Sequence, residues 1–176
     1  MALDHTSKLA TGGITSIQSA TVGEIGSGTS WSEPFYTLKD SITVSQAEPT
    51  KTEIKVDQIA SPIYANYEAG AFTVSGSIPD LASAVLSTLY TNTTAPYAPN
   101  GKTAVGIKTT VKVVNKMWRL NFASGQSLII TNGDLVASLE GQNLSTTAMG
   151  HKFTISAKAG VASYNQGADV VVWNLV

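Results

Sequence analysis

The side chains that could do acid–base or ligand chemistry in this sequence are few and far apart. The histidines are His5 and His151. A hydrolytic triad needs a histidine oriented by a carboxylate beside a nucleophile. Asp4-His5 places an acid next to a histidine, but an unanchored terminus cannot hold catalytic geometry. His151 follows Met149-Gly150 at the start of an alternating run and reads as a strand-edge or loop residue. Of the 12 acids, the densest group is Glu48, Glu53, Asp57 and Glu68. Glycosidase carboxylates meet in space rather than in sequence, yet the alternation around these four makes them solvated flanks of a polar hairpin. Gly23-Glu24-Ile25-Gly26-Ser27-Gly28 has neither the spacing nor the following helix of a dinucleotide fingerprint. Cysteine is absent, which removes disulfides, thiolate nucleophiles and Cys-ligated metals. The reading is a protein that is not an enzyme and has no cofactor or metal.

The aromatic residues carry more information. Trp31, Phe35, Tyr36, Tyr64, Tyr67 and Phe72 all fall between residues 31 and 72. Stacked rings could hold a sugar, but core packing for Phe35 and Phe72 and a subunit contact for Tyr64 and Tyr67 need no further assumption.

Charge points the same way. The 176 residues carry ten Lys, a single Arg and a formal net charge of −1, with 13% charged and 43% hydrophobic residues. No basic stripe exists to neutralise a phosphate backbone. Ser and Thr together number 40, so the surface is neutral and rich in hydroxyls. Charge repulsion gives little resistance to self-association in such a chain. No run approaches the roughly 18 apolar residues of a membrane span, and membrane binding is not expected. The N-terminal residues lack an apolar signal region, so the expectation is folding in a cytoplasm.

The elements that would position these residues are mostly strands. Residues 14–17 and 20–22 read as short strands, and period-two alternation places Ile42 and Val44 on one face of the next. Ile54 and Val56 share a face opposite Glu53, Lys55 and Asp57, and Phe72, Val74 and Ile78 share another. Ser77-Ile78-Pro79-Asp80 predicts a helix start with Ser77 as N-cap, and Leu81, Val85, Leu86 and Leu89 give it an apolar stripe. A polar loop is expected over 91–101. Alternation then predicts strands over 105–113, at Trp118, Leu120 and Phe122, at Phe153, Ile155 and Ala157, and at Val170–Trp173. Asn132-Gly133, between Ser127–Thr131 and Asp134–Leu139, is the strongest hairpin signal, since a type I′ turn needs two residues with positive φ. The fold class is mainly β, an antiparallel sandwich or barrel with one flanking helix at about 79–90. The predicted core is Phe35, Ile42, Val44, Phe72, Val74, Leu81, Val85, Leu89, Trp118, Leu120, Ile129, Val136, Phe153 and Ile155. Residues 1–32 read as a flexible N-terminal arm and 33–176 as one β domain.

The run from Glu33-Pro34-Phe35-Tyr36 through Thr50-Lys51-Thr52-Glu53-Ile54, Pro62-Ile63-Tyr64 and Gly70-Ala71-Phe72-Thr73-Val74 to Ile78-Pro79-Asp80-Leu81 resembles the tail tube (major tail) proteins of tailed bacteriophages. The resemblance covers roughly residues 33–90 and is looser beyond. It implies a structural virion protein whose copies form hexameric rings that stack into a tube conducting DNA. Its implied partners are further copies of itself and other tail proteins (tape-measure, terminator, baseplate), with DNA passing through non-specifically. Its implied location is the virion tail, assembled in the bacterial host cytoplasm. Within that resemblance, residues 46–70 become an inter-subunit or inter-ring arm, with Glu48, Lys51, Glu53, Lys55, Asp57, Ile63, Tyr64, Tyr67 and Glu68 as contact residues and Trp173 as a further one. The alternative is a carbohydrate- or surface-binding β module, such as a virion decoration or adhesin domain.

Overall fold

The computed structural model describes residues 13–57, 59–94, 105–140 and 150–173. It is mainly β and antiparallel, a curled half-barrel sheet with two small two-stranded sheets and a short helix. The main sheet is built from β1 (Ile14–Ala20), β8 (Val114–Phe122), β9 (Ser127–Glu140), β10 (Gly150–Ala157), β5 (Phe72–Ile78) and β2 (Thr43–Gln46), in that order, with β11 (Val170–Trp173) also paired to β9. A second sheet pairs β3 (Thr50–Val56) with β4 (Ile59–Glu68), and a third pairs β6 (Asn92–Thr94) with β7 (Val105–Ile107). The helix, α1, runs Ser83–Leu89.

The inner face of the sheet forms the core. Ile17, Val74, Ile78, Trp118, Leu120, Ile130, Leu135, Phe153 and Ile155 are buried there, with Phe35, Val85, Leu89 and Tyr90 packed against them. Phe35 fills the centre, its ring 5.5 Å from Phe153 and 6.3 Å from Trp118. Ile42 and Phe72 are half-buried at the margin of this cluster. Gly76 lies where a Cβ would meet the Ile42 Cδ1 atom at 2.5 Å and the Phe153 ring at 3.0 Å, so a side chain there would displace the core.

Several sequence expectations change. Asn132-Gly133 makes no turn: β9 runs straight through it, and neither residue takes positive φ. The register steps from Lys116↔Gly133 to Trp118↔Ile130, a bulge that gives β9 one extra residue. A Cβ on Gly133 would stand 2.9 Å from Trp118 Cδ1 and 3.0 Å from Ile130 Cγ2, so close packing explains this glycine. The turn joining β8 to β9 is instead at Ala123–Gln126, where Gly125 has φ 86° and its N–H donates to Phe122 O. Beyond the bulge Leu135 faces inward, and the expected core residue Val136 is half-buried on the other face. Ile129 is buried, but it pairs with Arg119 and so shares the outer face.

The helix begins four residues later than the expected 79. Ser77 belongs to β5, where its N–H is bonded to Ser41 Oγ and its carbonyl to Leu38 N–H, so it cannot cap. The cap position is Ala82, whose N–H donates to Asp80 Oδ1 at 2.7 Å. Leu81 therefore precedes the helix and is exposed rather than in the core. Val44 is also exposed, because β2 is an edge strand paired only with β5 among the described residues. The strand expected over 105–113 stops at Ile107, opposite the first residue of its antiparallel partner β6; Val111 and Val113 are exposed. Of the polar loop expected over 91–101, residues 92–94 form β6, and 95–101 lie outside the described residues.

Residues 14–20 are not part of a free arm. They form β1, pair with β8, and bury Ile17, Ser19 and Ala20. The loop that follows is fastened by Asn165: its Oδ1 accepts from Ile25 N–H at 2.9 Å, its Nδ2 donates to Gly23 O, and its own N–H donates to Glu24 Oε2. Residues 1–12 of the expected arm lie outside the described residues.

Candidate assembly arm and outer sheet face

The excursion at 46–70 is a long hairpin. Cross-strand pairs run from Thr50↔Glu68 through Lys51↔Tyr67, Thr52↔Asn66 and Glu53↔Ala65 to Ile54↔Tyr64. No described residue between 47 and 69 is buried. Ile54, Ile63, Tyr64 and Tyr67 are 51%, 56%, 56% and 65% exposed, and no element among the described residues forms a second layer over them. Residues that pair directly share a face. One face therefore carries Ile54 and Tyr64 between Thr52 and Asn66, with Thr50 and Glu68 at the root. The opposite face carries Lys51, Glu53, Ala65 and Tyr67, and by alternation Lys55 and Ile63.

The electrostatics of that second face are local. Glu53 is ion-paired with Lys51 and lies 3.4 Å from Lys55 Nζ, and Lys51 also sits 5.7 Å from the centre of the Tyr67 ring. The hydrogen bond between them, which favours both charged forms, lowers the Glu53 pKa and raises that of Lys51. These groups are in water, so the pairing adds little stability. Glu48 and Glu68 are exposed near the root, and Asp57 is exposed in the tip turn. Trp173 stands apart from the arm, in β11, where its backbone pairs with Ser127.

The root of the arm is narrow. Ala47 N–H donates to Ala71 O at 2.9 Å, and Gln46 pairs with Phe72. Gly70 passes directly against the Ala47 carbonyl, leaving no room for a Cβ.

The outer face of the main sheet has a pattern that sequence reading missed. Thr43-Val44-Ser45, Thr73-Val74-Ser75 and Thr154-Ile155-Ser156 lie on three adjacent strands in register, pairing Thr43↔Ser75↔Thr154 and Ser45↔Thr73↔Ser156. Each apolar middle residue points to the inner face and each hydroxyl outward. Ser45 Oγ and Thr73 Oγ1 are 2.9 Å apart. The three-fold recurrence of Thr-x-Ser was the available signal. β1 and β2 end the sheet order, with no further strand paired to either among the described residues, and a cleft of about 610 Å³ is lined by Ile14, Leu38, Ile42, Val44 and Phe122.

Arg119 lies on this outer face, farther along β8. Its guanidinium is 5.8 Å from the Trp31 ring centre, and its Nε donates to Ser127 Oγ at 3.2 Å. Trp31, weighed above as a sugar platform, thus has a ring already engaged by a cation.

His151 is buried rather than at an edge. Its Nε2 donates to Asp80 O at 3.1 Å, because a carbonyl can only accept, and this leaves Nδ1 to accept from Tyr90 OH at 2.9 Å. Both ring nitrogens are occupied. Burial lowers the His151 pKa from 6.5 and raises that of Tyr90. The carboxylate of Asp80 is turned to the Ala82 N–H, so it does not orient the imidazole as a triad acid would.

No protein-family model matches the chain, and no curated protein matches it.

Proposed function

We propose that the chain is a structural subunit that polymerises with copies of itself into stacked rings, as the resemblance to tail tube proteins implies, and that the resulting tube is a conduit for DNA. The observation that carries this reading is the arm. A lone two-stranded hairpin is at best marginally stable in water. This one spends four large apolar side chains on solvent, which makes sense as a surface awaiting a partner. Open edge strands are a hazard in a monomer, and joining them to a neighbour removes it. The neutral hydroxyl array suits the wall of a wet passage, because it satisfies hydrogen bonds with water and offers no cationic stripe to hold a polyanion.

The test is electron microscopy of the purified protein beside a variant lacking residues 47–69. In the variant Gln46 and Phe72 remain paired, and Gly70-Ala71 closes β2 onto β5 as a two-residue loop beginning with glycine, a favoured hairpin connection. The full chain should form rings or tubes of constant diameter, and the variant should stay a folded, soluble monomer. Tubes of normal length from the variant, or none from the full chain at high concentration, would overturn the proposal.

A further inference from the structure

The sequence contains a single arginine, and its setting differs from that of the lysines among the described residues. Arg119 is half-buried, lies over Trp31, and is fixed by a directional chain of hydrogen bonds. Ser127 Oγ donates its one proton to Asn121 Oδ1 at 2.8 Å, and Asn121 Nδ2 donates onward to Ser16 Oγ at 2.9 Å. The Ser127 lone pair is thereby turned to Arg119 Nε, and Ser127 itself is buried. The Trp31 ring and the Ser127 bond hold the guanidinium, and its paired Nη edge makes no hydrogen bond or ion pair among the described residues. That edge presents two parallel N–H donors, the geometry that matches a carboxylate. None of the ion pairs among the described residues involves Arg119.

We infer that Arg119 is a preformed carboxylate site, filled on assembly by Asp57 from the arm tip of a second copy. This rests on the proposed function, since it needs two copies in contact. The choice of occupant follows from charge and reach. Glu53 is already taken by two lysines, and Glu48 and Glu68 sit at the arm's root beside their own sheet. Asp57 makes no ion pair among the described residues. It stands beyond seven residues of β3, roughly 20 Å from the root at the rise of an extended strand. A DNA phosphate is the poorer fit: retention of a polyanion draws on many cations acting together, and this site offers one.

The test uses the full-length chain and reads the critical concentration for assembly by sedimentation, with monomer melting as a check of folding. Asp57→Asn, at an exposed turn, should melt as the parent does yet raise the critical concentration about tenfold or more. Arg119→Lys keeps the charge but loses the planar fork and should also assemble poorly. The exchange Asp57→Arg with Arg119→Asp should recover assembly relative to either single change. Normal assembly of Asp57→Asn overturns the inference. So does a variant at Arg119 that forms normal tubes but holds duplex DNA less well, which would assign the guanidinium to phosphate. Either result leaves ring formation itself standing, whereas a parent chain that never assembles removes the reading beneath it.

Discussion

In β5, Val74 and Ile78 alternate with threonine and serine and are completely buried; in the arm, Ile54 alternates with glutamate and lysine and lies in solvent beside Tyr64. The two stretches have the same period-two pattern. What separates them is the second layer. The main sheet curls over Phe35, and α1 contributes Val85 and Leu89, so its inner face is shielded from water. The arm's paired strands have no such cover among the described residues. Alternation specifies a strand and its two faces, whereas burial depends on whether another element lies over the apolar one. That difference separates what stabilises a single copy from the apolar surface that the proposed assembly would cover.

The largest effect expected from breaking this division lies in the core. Trp118 is fully buried, touches Phe35, and donates from Nε1 to Gly133 O at 3.0 Å. Trp118→Ala should cost about 3–5 kcal/mol, by loss of transfer energy, an unfilled cavity and an unpaired carbonyl. Urea unfolding of the monomer measures it. A loss below about 1 kcal/mol would mean that the sheet's inner face is not the monomer's cooperative core.

A smaller effect belongs to the joint between β10, the end of β5 and the C-terminal end of α1, where His151 accepts from Tyr90 and donates to Asp80 O. The folded protein holds His151 neutral, with its pKa below the unfolded value of 6.5. Between the folded and unfolded pKa values the unfolded chain binds more protons, so stability rises with pH there. The contribution is therefore complete above about pH 7 and declines as pH falls through 6.5 toward the depressed folded pKa. Urea midpoints should drop on acidification in the parent and flatten in His151→Leu. Tyr90→Phe should lose about 1–3 kcal/mol near neutrality by leaving buried Nδ1 without a donor. A parent midpoint indifferent to pH in this window would remove His151 from the joint.

Much of this arrangement was legible in the sequence, and the misses have physical causes. The β class and the inward residues of β5, β8 and β10 follow from alternation and turn residues alone. Asn132-Gly133 misled because a glycine is also required where two side chains crowd the backbone, and only the packing of Trp118 and Ile130 distinguishes that from a turn. Ser77 misled because a serine before Pro-Asp fits a helix cap equally well as a strand residue whose N–H is taken by Ser41, 36 positions earlier. The Arg119 chain was invisible for a related reason: Ser16, Asn121 and Ser127 come together through register between β1, β8 and β9, over as many as 105 positions. Local pattern carries periodicity well and long-range register hardly at all.

The smallest effect on the monomer is the one that sharpens the comparison most. Ile54→Ser and Tyr64→Ala remove apolar surface that the single copy leaves in water, so each should shift monomer stability by no more than about 0.5 kcal/mol. If the same surface is covered between copies, the two changes should raise the critical concentration for assembly, each by roughly tenfold or more for about 1.5–3 kcal/mol of lost burial. The contrast with Trp118→Ala is then a double dissociation. One substitution should destabilise the subunit itself, and the others should leave it as stable as the parent but, under the proposed assembly, slower to join its neighbours at a given concentration. Melting and sedimentation on the same three variants decide the matter. A large drop in melting temperature for Tyr64→Ala would place the arm's apolar face inside the monomer's own cooperative unit. Unchanged assembly of both arm variants would leave Ile54 and Tyr64 with no role between copies.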